Sequence, residues 1–162
     1  MLTGIQRGAV NLVRVCVDRA DPAGFAGRFY HWYDTSPVRF DSPDALLWRL
    51  DRFYDEINWP QQGLKMRRFE TPGAAAPQTG QEGRLPRMER KKVNDLTEQS
   101  GERATFVVHV KYRQNATWQG DVLWAEKGQK QNFRSALELI KLMDSALNQV
   151  PEEPEPGEEQ EE

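Results

Sequence analysis

The chain has 162 residues, 38% of them hydrophobic, 10% aromatic and 29% charged, the composition of one compact globular domain or two very small ones and not of a fibrous or wholly disordered protein. No run approaches the roughly 18 to 20 consecutive apolar residues that span a bilayer, and a single cysteine, Cys16, beside two histidines, His31 and His109, excludes an internal disulfide and argues against a zinc site. These features point to a protein of a reducing cytoplasm with no membrane segment and no cofactor. The net charge of -3 hides an opposite body: seven of the 25 acidic residues lie in the last twelve positions, leaving 18 against 22 basic residues in the remainder.

An internal repeat organises the sequence. Shifting by 93 residues aligns Val13–Asp51 with Phe106–Asp144 without a gap, and eight of 39 pairs are identical, among them Val15/Val108, Val17/Val110, Gly27/Gly120, Phe40/Phe133, Ser42/Ser135 and Leu46/Leu139. Chance gives about two or three at ordinary residue frequencies. Each copy reads as three strands and a helix, the first over residues 9–59 and the second over 104–150.

In the first copy Val13, Val15 and Val17 alternate with Arg14, Cys16 and Asp18, the period of two of a half-buried strand. A second strand is predicted over Phe25–Tyr33, with Gly27 marking a bulge or a close backbone approach. A short third strand covers Val38–Phe40. Ser42 is then an N-cap and Pro43 occupies the first helical position, and Leu46, Leu47, Leu50, Phe53, Tyr54 and Ile57 form the apolar face of a helix that ends near Asn58, before Trp59-Pro60.

Residues 60–103 lose this periodicity. The run Thr71–Gly83 has the composition of a flexible linker, a short helical turn fits Lys91–Gln99, and Pro60–Lys92 carries eight bases against three glutamates. The expectation is a basic, largely disordered linker. The second copy follows with strands over Phe106–Val110, Trp118–Glu126 and Gln131–Phe133, a bend at Gly120, and a helix opened by the capping box Ser135/Glu138 with Leu139, Ile140, Met143 and Leu147 on one face. The tail, Pro151–Glu162, is acidic, broken by prolines and expected to be disordered.

One βββα unit of about 45 residues has too small a core to stand alone. The expected fold is therefore α+β: two copies related by a pseudo-two-fold, their strands in one antiparallel sheet or half-barrel, with both helices on one side.

Catalytic signals are few: no phosphate loop, nucleophile elbow or metalloprotease motif occurs, and no enzymatic activity is expected. His109 aligns with Cys16, so the pseudo-two-fold would give a cysteine–histidine pair if it brought the two together; the plainer reading is two unrelated strand residues. The segment that stands out is Arg113–Trp124, RQNATWQGDVLW, with Arg134. Arg113, Gln114, Trp118, Gln119, Trp124 and Arg134 combine planar donors with aromatic faces suited to bases or to a protein partner. Against this, the tryptophans serve equally as core and the Arg-Gln-Asn triplet as turn chemistry, Trp124 being the better candidate for an exposed ring. Asn115-Ala-Thr117 matches a glycosylation sequon, which carries no weight on the expectation that the protein is not secreted.

The order βββα, with aromatics on the strands and a capped helix behind them, resembles the three-stranded DNA-binding domains of integrase and plant transcription-factor type. That resemblance implies a sheet that enters the major groove with Arg and Trp side chains. RQNATWQG followed by FRSALELIKLMDSAL is also similar to short uncharacterised proteins of Gram-positive anaerobes, which implies no function. The leading expectation is a non-enzymatic binding or regulatory module that contacts nucleic acid through the sheet and the basic linker, with the acidic tail as an internal competitor. The alternatives are a protein-interaction adaptor or homodimer using Trp32, Tyr33 and Trp124, and a small-ligand sensor with a pocket between the copies.

Overall fold

In the computed structural model the described residues are 9–62, 69, 96, 99–114 and 117–149; the predicted linker run Thr71–Gly83 and the acidic tail lie outside them. The elements are β1 (Val13–Asp21), β2 (Gly24–His31), β3 (Asp34–Phe40), α1 (Pro43–Ile57), β4 (Ala104–Tyr112), β5 (Gln119–Trp124), β6 (Gln129–Phe133) and α2 (Ala136–Leu147). The fold is α+β, with six antiparallel strands in the order β3-β2-β1-β4-β5-β6. The sheet stays open, with β3 and β6 as its edges.

The predicted alternation decides which face the helices cover. Val13, Val15 and Val17 of β1 and Phe106, Val108 and Val110 of β4 point into one core with Leu46, Leu50, Phe53 and Tyr54 of α1 and Leu139, Met143, Ala146 and Leu147 of α2. Both helices start where the caps place them: Ser42 Oγ accepts from Ala45 N at 3.2 Å and Ser135 Oγ from Glu138 N at 3.0 Å, each satisfying an amide that the first helical turn leaves without a partner. Asn58 closes α1 in a left-handed conformation, φ 50°, and its N–H donates to the Asp55 carbonyl.

The two halves share register. Val15 faces Phe29 and Val17 faces Gly27, as Val108 faces Val122 and Val110 faces Gly120. The pairing shifts just after each glycine's partner, between Val17 and Arg19 and between Val110 and Tyr112, and Gly27 and Gly120 pair in turn with Phe40 and Phe133. A Cβ on Gly27 would lie 2.0 Å from the Cys16 carbonyl oxygen, and one on Gly120 2.0 Å from that of His109, so both positions exclude a side chain.

The structure differs from expectation at the second and third strands. β2 and β5 stop two residues early, at His31 and Trp124, while β3 and β6 begin at Asp34 and Gln129. A two-residue turn, Trp32–Tyr33, joins β2 to β3. The extra residues of the edge strands, Asp34–Pro37 and Gln129–Lys130, are exposed, so no apolar alternation announces them.

The other face of the sheet has a smaller apolar cluster of Leu12, Leu96, Val107 and Leu123, flanked by Ala9, Tyr30 and Trp32. The end of the interval read as linker belongs to this body: Leu96 is buried there, Arg14 Nε donates to the Gln99 carbonyl, and Arg103 N donates to the Val17 carbonyl at 2.8 Å. No helix among the described residues is long and apolar enough to cross a membrane.

Candidate functional site

The sheet face away from the helices is where the strands put their polar residues. Arg28 on β2 is held between Asp18, with which it forms an ion pair, and Tyr30, whose hydroxyl accepts from Nε at 2.9 Å. At the other end Lys111 and Lys130 flank the buried Asp121 at 2.8 and 3.7 Å. The Leu12–Leu96–Val107–Leu123 cluster covers the middle, and Arg14, Thr105, His109 and Asp121 of the same face are buried as well.

Beside this first end, where the strands meet α1, three arginines converge. Arg19 follows the β1 irregularity and pairs with Ala26, Arg39 lies opposite Arg28 on the edge strand, and Arg49 comes from α1. Together with Asp18, Gly27 and Asp41 they line an open groove of about 410 Å³. All three arginines are exposed, and none forms an ion pair among the described residues. Asp18 is committed to Arg28, which leaves Asp41 as the one carboxylate facing three guanidinium groups in the groove. Such an excess of planar donors in an open concavity suits an oxyanion or a phosphate.

The residues singled out in the sequence do not form one surface. Arg113 is buried: its Nε donates to the Pro60 carbonyl at 2.7 Å, its Nη1 lies 2.8 Å from Asp55 and 3.4 Å from Asp51, and its guanidinium sits 5.8 Å from the Tyr54 ring centroid. Trp118 is core, edge-on to Tyr54 at 5.6 Å. Trp124 is also buried, which corrects its reading as an exposed ring, and its Nε1 has no hydrogen-bond partner among the described residues. Both tryptophans share the strand face of Gly120 and Val122, which the helices cover. Gln119 is half-buried opposite Tyr112, and only Gln114 and Arg134 are exposed.

The exposed aromatics are elsewhere. Trp32 is half-buried, donating from Nε1 to the Ala9 carbonyl at 3.1 Å, and Tyr33 packs near Phe53. Trp48, on the outer side of α1, is 75% exposed.

Cys16 and His109 share a sheet face but not a place on it. Cys16 lies opposite Thr105, and His109 is four residues further along β4, about 13 Å at the usual rise per residue. Burial pushes the Cys16 thiol up to about 11 despite nearby Arg28 and Arg14, so it is not a thiolate at neutral pH. Burial also lowers both histidines below their ordinary value, with Lys111 adding to the effect at His109. Among the described residues no group of three histidine, cysteine or carboxylate side chains is placed to hold a metal ion.

Arg19, Arg39 and Arg49 escaped the sequence reading because they come from three separate elements and share no spacing. The positions 93 residues later hold Tyr112, Asn132 and Leu142, so the three arginines are not repeated in the second half. Comparison with known proteins finds no matching family model, no matching curated protein and no matching solved structure.

Proposed function

We propose that the chain is a non-enzymatic nucleic-acid-binding module, built by duplication of a βββα unit, that holds backbone phosphates at the Arg19–Arg39–Arg49 groove, where the first three strands meet α1. The observation that carries this reading is the convergence of three exposed guanidinium groups, free of acidic partners among the described residues, on one open groove. A structural arginine is normally matched to a carboxylate or carbonyl, as Arg113 and Arg28 are; unmatched arginines gathered together are arranged for a ligand's charge. Lys111 and Lys130 add basic groups at the far end of the sheet, where they flank Asp121. The resemblance to three-stranded DNA-binding domains agrees in element order. Duplication is supported by the shared register, the shared glycine positions and the shared serine caps, all 93 residues apart.

Fluorescent single- and double-stranded DNA and RNA, titrated at several salt concentrations, test the proposal. Each phosphate contact contributes about 0.7 to 0.9 to the slope of log affinity against log salt, so replacing Arg19, Arg39 and Arg49 with Gln lowers that slope by about 2 to 3. Salt-independent binding, or an unchanged slope in the triple variant, refutes the assignment. Exposed Trp48 supports a second reading, a protein-docking surface on α1: it requires a partner captured in the presence of nuclease and lost in Trp48→Ala.

A further inference from the structure

The two halves differ in one part of the core. In the first, the Phe53 ring of α1 stacks on His31 at the end of β2, with centroids 4.2 Å apart and planes 19° from parallel, and Tyr33 closes the group at 6.1 Å from each ring. The corresponding residues 93 positions later are Ala146 on α2 and Trp124 at the end of β5. Both helices start from a serine cap at matching positions, so Ala146 occupies the place on α2 that Phe53 has on α1. The second half thus keeps an aromatic platform and lacks the ring that would lie on it.

A cavity of about 160 Å³ lies there, with Trp124, Leu142 and Ala146 among its apolar walls and Gln129, Gln131 and Gln149 among its polar ones. Its size suits one six-membered ring, since an apolar cavity of about 150 Å³ holds benzene. Carboxamide side chains present both donors and acceptors, the pairing that nucleobase edges use, and no charged side chain lines the space among the described residues. Trp124 Nε1, without a partner among the described residues, adds a polar deficit on a ring that lines the cavity, of the kind that a ligand or ordered water commonly completes.

We propose that this slot binds one planar, uncharged heteroaromatic ring of nucleobase size, stacked on the Trp124 indole between β5 and α2 as Phe53 stacks on His31 in the first half. The ring comes from a free nucleoside or from a base of a bound strand. The inference does not rest on the arginine groove, because an uncharged nucleoside carries no phosphate.

The test titrates the full chain with uridine and cytidine, with a single-stranded thymidine oligonucleotide and with toluene as an apolar control, following the Trp124 indole N–H signal by NMR and assigning it with Trp124→Phe. The expected result is a saturable shift with a nucleoside or with the oligonucleotide, weakened roughly tenfold or more, the scale of one lost base stack, in Ala146→Phe, which fills the slot from within as the first half does. Ala146→Leu provides a second filled variant should the phenyl ring overpack. Shifts from the nucleosides identify a free-ligand site, and shifts from the oligonucleotide alone identify a strand-base site. No shift from any nucleoside or oligonucleotide, equal binding by the filled variants, or binding of toluene alone overturns the proposal.

Discussion

Replacing Arg113 with Met separates a structural arginine from a binding one. The guanidinium is 3% exposed and fastens the end of β4 to α1 and to the Pro60 carbonyl that follows it, so it ties the second half of the chain to the first. The Nε bond to Pro60, at 2.7 Å, is buried and charge-assisted, worth about 1.5–3 kcal/mol. Asp55 and Asp51 are 51% and 35% exposed, so each ion pair is screened and contributes at most about 1 kcal/mol. Against this, methionine keeps much of the apolar stem and removes the cost of burying a charge. The net expectation is a loss of about 2–3 kcal/mol, and for a chain of this length a fall in Tm of about 4–12 °C. Urea and thermal unfolding measure it, with Arg134→Met as the exposed control expected to stay within about 0.5 kcal/mol. Asp51 provides an internal check. Burial and then Asp55 raise its carboxyl above the usual range while Arg113 opposes both, so Asp51→Asn should cost less in the Arg113→Met background than alone. A loss below about 0.5 kcal/mol for Arg113→Met, or a fall in nucleic-acid affinity with stability unchanged, would refute the structural assignment.

Two further outcomes follow from the backbone and from burial. Gly27→Ala and Gly120→Ala each push a methyl group against a neighbouring strand's carbonyl oxygen and should cost about 1–3 kcal/mol or more; Gly128→Asn, at φ 63° with nothing within 4 Å, should be near neutral in the same urea assay, and equal losses at all three would refute the close-approach argument. His31 and His109 are held below their ordinary value of 6.5 by burial, and His31 Nδ1 accepts from Tyr33 N at 3.1 Å, which requires it unprotonated. Because the unfolded chain binds these protons more readily, their contribution is full above about pH 6.5 and is lost as pH falls towards the lower folded values; Tm measured from pH 8 to 5 should drop, and His31→Phe should flatten the drop.

What short-range pattern encodes was legible in the sequence. Alternating valines, serine caps three residues before the amides they receive, and apolar residues at helical spacing are local consequences of backbone geometry, and the structure has them at Val13–Val17, Ser42, Ser135 and Leu139–Leu147. The paired glycines were legible because a sheet cannot admit a Cβ at Gly27 or Gly120. The ends of β3 and β6 were not, because edge residues exposed to solvent carry no periodic signal.

The candidate sites divide in the same way. Arginine, glutamine and tryptophan at Arg113–Trp124 look alike in sequence whether they face solvent or core, and only the packing of α1 and α2 over one face turned Arg113, Trp118 and Trp124 inward. Arg19, Arg39 and Arg49 meet because a strand irregularity, an edge strand and a helix bring them together from 30 residues of chain, and the slot at Trp124 exists because α2 has Ala146 where α1 has Phe53. Sequence alone determined the βββα units, their caps and their glycine contacts, all set by the nearest neighbours along the chain or across one hairpin. Tertiary structure decided which side chains are surface, because burial depends on which face of the sheet the helices cover.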